Sequence, residues 1–261
     1  MDLGTIIGIT VGTIMVALGI ILGGVGIGPY ISIDSLVITI FGSFGAMMVS
    51  QPLSRMLGIT SYLKHVFTVQ SWNEEELISQ LVGFSDRARK EGLLALEDNI
   101  DAVEDEFMRK GIQLVVDGTD PDIIKTILYA DLNQLQARHQ VGAKIMGDWG
   151  VIAPAFGMIG TLIGLIAMLG NIGGDSAAIG RGMQTALVTT LYGSFFANLF
   201  LIPFKAKLQV RDADESRARE IVIEGILSIQ SGDNPRILLE KLLSFLPPSQ
   251  RQAVRQESGA D

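Results

Sequence analysis

Charge is absent from four long windows of this chain. Residues 3–33, 35–54, 149–174 and 182–204 contain no Asp, Glu, Lys or Arg, and the 20 basic and 28 acidic side chains all lie elsewhere. About 20 apolar residues in a helix cross the hydrocarbon core of a bilayer, so every window is long enough to span. Buried helices of a soluble core would account for one or two such windows, not four. The pattern predicts spans at roughly 3–23, 34–52, 150–171 and 182–203. The Gly-rich turn GGVGIGP joins the first two and NIGGDSAAIGR the last two, giving two helical hairpins. The first window does not read as a cleaved signal peptide, because Met1-Asp2 supplies no basic start and the window leads directly into a second one.

The polar segments also carry a helical period. Leu93, Leu96, Ile100, Val103 and Phe107 recur at three- and four-residue steps and predict one apolar helical stripe. DGTDPD at 117–122 ends one helix and begins the next, with Asp120 as N-cap and Pro121 at the first helical position. The alternating ligand spacing of a calcium loop is absent there. In the tail, Leu239, Leu242, Leu243 and Leu246 form another stripe, closed by Pro247-Pro248. It reads as a helix packed beneath the spans, with a core, an interface-lying helix or a partner contact as the options. Around 86–98, DRARKEGLLALED places Arg87, Arg89 and Lys90 before Glu97 and Asp98. By residue type this reads first as a solvated helix surface with weak ion pairs. The other reading is a docking surface whose field steers a partner.

Composition refines this picture. Mean hydropathy is +0.39. The two short connections hold one basic residue, Arg181, whereas 51–149 holds ten and 204–261 holds nine. The positive-inside rule then puts both long polar segments and both termini in the cytoplasm; the net charge of −8 does not bear on that rule. There are no cysteines, so disulfides, thiol chemistry and Cys-based metal sites are excluded. No phosphate-binding loop or Ser-His-Asp set is present, and His65 and His139 read as surface or packing residues. No enzyme activity, resident cofactor, permanent metal or nucleic-acid partner is expected. The expected fold is all-α: a polytopic membrane protein with four transmembrane helices and a helical cytoplasmic domain. Its parts are a hairpin at 1–52, a cytoplasmic helical domain at 53–149, a second hairpin at 150–203 and cytoplasmic tail helices at 204–261.

The spans carry no ionisable group, although ion pumps and transporters commonly hold one within the membrane. They carry hydroxyls and small residues instead. Pro154, Gly157, Thr161, Gly164 and Met168 share one side of the third span, and Thr190, Ser194 and Ala197 share one side of the fourth, beside Thr189 and Gly193. Small residues let helices approach closely in lipid, and each hydroxyl can bond a carbonyl of its own helix. If an ion crosses here, its carboxylate must come from another chain.

VIAPAFGMIGTLIGLIAML (151–169), ALVTTLYGSFFANLFLIPFKAKL (186–208), RKEGLLALED (89–98) and IQSGDNPR (229–236) resemble the MotA/PomA stator subunits of the bacterial flagellar motor. The order of elements matches over essentially the whole chain. The resemblance implies an inner-membrane homo-pentamer surrounding two copies of a MotB/PomB-like one-span partner, whose single aspartate supplies the missing carboxylate. It implies that ion passage turns the ring and that the cytoplasmic domain moves the rotor protein FliG. Carried over residue by residue, it gives Arg89, Lys90, Glu97 and Asp98 as rotor contacts and Pro154 and Pro203 as coupling prolines. Thr161, Thr189 and Thr190 become ion-pathway residues, with a transient sodium near Thr161. Sodium-type members resemble the chain at GMIGT, and sodium needs oxygens in place of its water. The alternatives are a proton-driven subunit of the same family, a TolQ/ExbB-like energising subunit, and a non-conducting membrane scaffold. The additional N-terminal hairpin argues against the TolQ/ExbB type. Where family members often have Asp at the start of the second span stands Ser32, with Asp34 two residues on.

Overall fold

A computed structural model describes residues 2–68 and 72–257. The chain is 86% helical, with no strand among the described residues. Four helices are long and apolar enough to cross a membrane: Leu3–Leu22, Gly28–Ser50, Pro121–Leu169 and Ser176–Gln230. Their membrane-length apolar stretches are spans 1 to 4, the last two being parts of the two longest helices. Two compact units result, one from 1–69 and 139–210, the other from 70–138 and 211–261. The division falls at different places from the edges of the charge-free windows. Short helices that follow span 2, α4 (Leu53–Leu57) and α5 (Ile59–Phe67), belong to the membrane unit. Met56, Val66, Tyr62 and Phe67 pack there with Met146, Trp149 and Phe204 in two adjoining apolar clusters.

Span 1 (α1, Leu3–Leu22) has no buried residue. Its start is held instead by polar contacts. Asp2 caps the helix by accepting from the Thr5 amide, forms an ion pair with Lys207, and its own amide donates to the Phe67 carbonyl at 2.9 Å. Span 2 is not a uniform α-helix. A short 3-10 turn, Gly28–Tyr30, precedes α2 (Ile33–Leu36), a wide π segment at Val37–Phe41 and α3 (Gly42–Ser50). Span 4 has a second π segment, Ala197–Leu201, between α9 (Ser176–Phe196) and α10 (Ile202–Gln230). Pro203 explains that one: it offers no amide to the Leu199 carbonyl, and widening the turn just before it relieves the missing bond. Span 3 lies in α8 (Pro121–Leu169), which contains Pro154 without interruption.

The cytoplasmic unit is built on side-chain burial. Ile78, Leu81, Leu96, Ile112, Ile124 and Ile221 are among its fully enclosed residues. The tail stripe closes this core: Leu239, Leu242, Leu243 and Leu246 are all buried in it, three of them on α11 (Pro235–Leu243). The stripe at 93–107 also faces the core, but it is not one α-helix. Gly92 ends α6 (Glu74–Glu91) with φ +91, a conformation that favours glycine. Leu93–Ala102 then winds as a 3-10 helix, and α7 (Glu106–Val116) starts afresh. Asp105 makes that restart, its carboxylate accepting from the Met108 amide at 2.6 Å. Asp120 does what its sequence suggests and accepts from the Asp122 amide at 2.9 Å.

Candidate functional site

The glycines of span 3 meet span 4 backbone to backbone. A Cβ on Gly164 would lie 2.5 Å from both the Ala186 nitrogen and the Gly182 oxygen, and one on Gly182 would lie 2.7 Å from the Met168 nitrogen. Neither residue can be larger without parting the helices. That closeness brings three threonine hydroxyls together. Thr161 Oγ1 lies 2.5 Å from Thr190 Oγ1, and it reaches the carbonyls of Gly157 at 3.0 Å and Ala186 at 3.1 Å. Thr190 Oγ1 lies 3.2 Å from the same Ala186 carbonyl, and Thr189 Oγ1 3.0 Å from it. Every hydroxyl hydrogen here has a backbone acceptor within reach.

The three threonines do not share one exposure. Thr190 is exposed and Thr161 half-buried. Thr189 is fully buried, donates to the Thr185 carbonyl at 2.8 Å, and its side chain packs where a Cβ of Gly160 would stand. Its hydroxyl is enclosed within the chain. The residue's place is in the seam, and its own carbonyl accepts from Thr39 of span 2 at 3.4 Å. Pro154 is half-buried on the seam side of span 3, close to Gly193, and Pro203 follows the π turn of span 4.

Sequence reasoning missed the contribution of span 2. Ser35, Thr39 and Ser43 are fully buried, at a step of four, and Ser43 accepts from the Trp149 indole at 2.9 Å. The same hydroxyl periodicity used for spans 3 and 4 would have found them. It could not have found the Ala186 carbonyl, because a backbone acceptor leaves no mark on residue type.

In the cytoplasmic unit Arg89, Lys90, Glu97 and Asp98 are all exposed. Gly92 separates them into two elements, so the basic pair ends α6 and the acidic pair sits on the 3-10 helix. Lys90 pairs with Asp86 at 2.5 Å. Arg89, Glu97 and Asp98 form no ion pair with any described residue. A separate cleft of about 510 Å³ is lined by Trp72, Phe107, Lys110, Asp131 and Arg219 among others. Its cations are engaged already, Lys110 with Asp131 and Arg219 with Glu215. The described residues include no group of three or more His, Cys, Asp or Glu side chains able to hold a metal ion.

This is a four-span helical membrane protein with a close-packed, hydroxyl-bearing helix pair and a charged helical domain. A family model described as the MotA/TolQ/ExbB proton channel family matches residues 99–221. The chain is 44% identical to Motility protein A of Borreliella burgdorferi over the full length of both. It is 38% identical to chemotaxis protein PomA of Vibrio alginolyticus, covering 96% of this chain and 98% of that one. The solved flagellar MotAB stator complex from Bacillus subtilis superposes with a TM-score of 0.88 at 32% identity, over 95% of this chain and 97% of that one. The chain belongs to the MotA family of flagellar stator subunits. It is not an enzyme.

Proposed function

We propose that this chain forms the ring of a flagellar stator in the bacterial inner membrane and couples sodium influx to torque. Five copies surround two copies of a one-span, MotB/PomB-like partner, both termini lie in the cytoplasm, and FliG is the load. The solved relative from Bacillus subtilis is a MotAB complex, which supports a partner of that kind. The span windows contain no carboxylate, and a bare cation among hydroxyls alone is costly to bury; the partner's aspartate meets that need. Span 1, with no buried residue, is left to lipid. Arg89, Lys90, Glu97 and Asp98 supply the rotor contact, and Pro154 and Pro203 carry the coupling between ion passage and helix movement.

The observation that carries the sodium reading is the Thr161–Thr190 pair. Both hydroxyl hydrogens can turn to carbonyls, which leaves two oxygens free to face a partly dehydrated cation. Proton drive is the second reading, favoured by the higher identity to a relative named Motility protein A than to PomA. Swimming speed against external sodium at constant pH, in cells powered only by this stator, separates them: a rise with sodium supports the first, a flat response the second. Thr161→Ala should lose motility or need much more sodium, at normal protein level, since alanine is the better helix former. Thr161→Ser should retain more function. Equal swimming of both variants at low sodium would reduce the hydroxyl to a packing group.

A further inference from the structure

Spans 2 and 4 are tied at the outer end by one phenol. The Tyr192 hydroxyl donates to the Tyr30 carbonyl at 2.6 Å and accepts from the Ser32 amide at 3.3 Å. Tyr192 is a half-buried residue of α9, two positions beyond Thr190. A helical side chain leans toward its own N-terminus, so the ring reaches back toward the connection between spans 1 and 2. Just over two turns nearer the start of α9, Gln184 adds a second tie, donating through Nε2 to the Pro29 carbonyl at 2.7 Å. The three tied residues, Pro29, Tyr30 and Ser32, sit in the short 3-10 turn and at the start of α2. Ser32 is itself the N-cap of α2, accepting from the Ser35 amide at 3.2 Å and the Ser35 hydroxyl at 2.8 Å. Breaking the tie therefore loosens the first turn of span 2, which carries the exposed Asp34.

We propose that Tyr192 is a positioning residue for the outer mouth of the ion path, its single hydroxyl holding the span 1–span 2 connection and the first turn of span 2 against span 4. The proposal rests on the ion-path reading above. The connection has little else to order it: Gly24 and Gly26 have φ of +75 and +77 and no neighbour within 4 Å of a would-be Cβ, and Ile31 and Ile33 are exposed. Two carbonyls and one amide of this segment are served by Tyr192 and Gln184, and a main-chain group without its partner in an apolar setting is costly. The face of α9 that fixes where span 2 begins thus lies roughly opposite the one that presents Thr190, two residues further out along the same helix.

Tyr192→Phe keeps the ring and removes only the hydroxyl. In the intact complex, hydrogen exchange of peptides covering 28–35 should speed up while those of spans 3 and 4 keep parental rates. In cells powered only by this stator, the external cation concentration giving half-maximal speed should rise by roughly twofold to tenfold, the range that one lost hydrogen bond yields, with speed at saturating cation unchanged. Gln184→Met should shift both readouts in the same direction by less. The cation axis is the one the parent responds to, sodium or pH, so a parent insensitive to sodium overturns the sodium reading and leaves this test standing. Parental exchange in Tyr192→Phe overturns the tie, and faster exchange with an unshifted cation dependence overturns the positioning role.

Discussion

The seam between spans 3 and 4 of the membrane unit and the core of the cytoplasmic unit solve the same packing problem with opposite materials. In the cytoplasmic unit a Cβ on Gly225 would first meet the Leu81 side chain, 2.6 Å from Cδ1. In the membrane unit a Cβ on Gly164 would meet main-chain atoms of span 4 on two residues. Water supplies the drive that assembles Leu, Ile and Val side chains into the cytoplasmic core. Lipid supplies no such drive, so the seam between spans 3 and 4 is held by close approach of backbones and by hydroxyls bonded to carbonyls. The teaching is that a side-chain core can yield locally, while a backbone seam is all or nothing.

The widest separation between the two should come from matched Gly→Ala substitutions. Gly164→Ala should abolish motility and deplete the intact complex from membranes, because neither neighbouring backbone can give way. Gly225→Ala should stay within about 1 kcal/mol of the parent, the gain in helix propensity offsetting the displacement of Leu81. Detergent-extracted complex quantified by size exclusion compares them directly, and a Gly164→Ala complex at parental yield would break the contrast.

A smaller effect is expected from the surface of the cytoplasmic unit. Arg89 and Glu97 are exposed and form no ion pair among the described residues, so Arg89→Glu or Glu97→Lys should alter stability by no more than about 0.5 kcal/mol. Torque measured on tethered beads should nevertheless fall, and a charge reversal on the rotor should restore part of it. Loss of membrane insertion or assembly in Arg89→Glu would make that charge structural instead.

The smallest expected effect sharpens the cytoplasmic side. Hydrogen bonds from Lys241 and Ser228 hold the Asp233 carboxyl below its ordinary range. A depressed carboxyl stabilises the fold at every pH above its unfolded value and loses that contribution as pH falls through the folded one. Asp233→Asn should lower the melting temperature slightly and evenly at neutral pH. The difference from the parent should shrink only below about pH 4, as followed by thermal melts across a pH series.

What the sequence disclosed differs between the units for a related reason. The four spans are plain in it because bilayer thickness fixes a length and lipid forbids charge, two constraints that act on residue type. Asp120 and the tail leucines are legible on similar grounds, through capping and period. The stripe at 93–107 misleads because its mixed three- and four-residue steps read as one α-helix, whereas the φ of Gly92 and the Asp105 cap divide it into a 3-10 helix and the start of α7. Thr189 and Thr190 are adjacent and identical in type, yet one is sealed in the seam and the other exposed; a rotation of about 100° per residue decides it. Pro203 foretells its π turn, whereas nothing in VITIF marks the one in span 2. Tyr192 reads as an ordinary aromatic until its two backbone partners are located.

The Ala186 carbonyl has a further consequence. It has two lone pairs, yet the Thr190 amide of the continuing helix and the hydroxyls of Thr161, Thr189 and Thr190 all lie in position to donate to it. Four hydrogens compete for two places, and Gly157, Thr185 and the neighbouring hydroxyl take the overflow. The same heavy atoms therefore admit more than one arrangement of these hydrogens. Such a cluster is polarisable by rotation alone. A positive charge outside it selects the arrangement with oxygens outward, a departing charge releases it, and no helix has to move for the local field to answer.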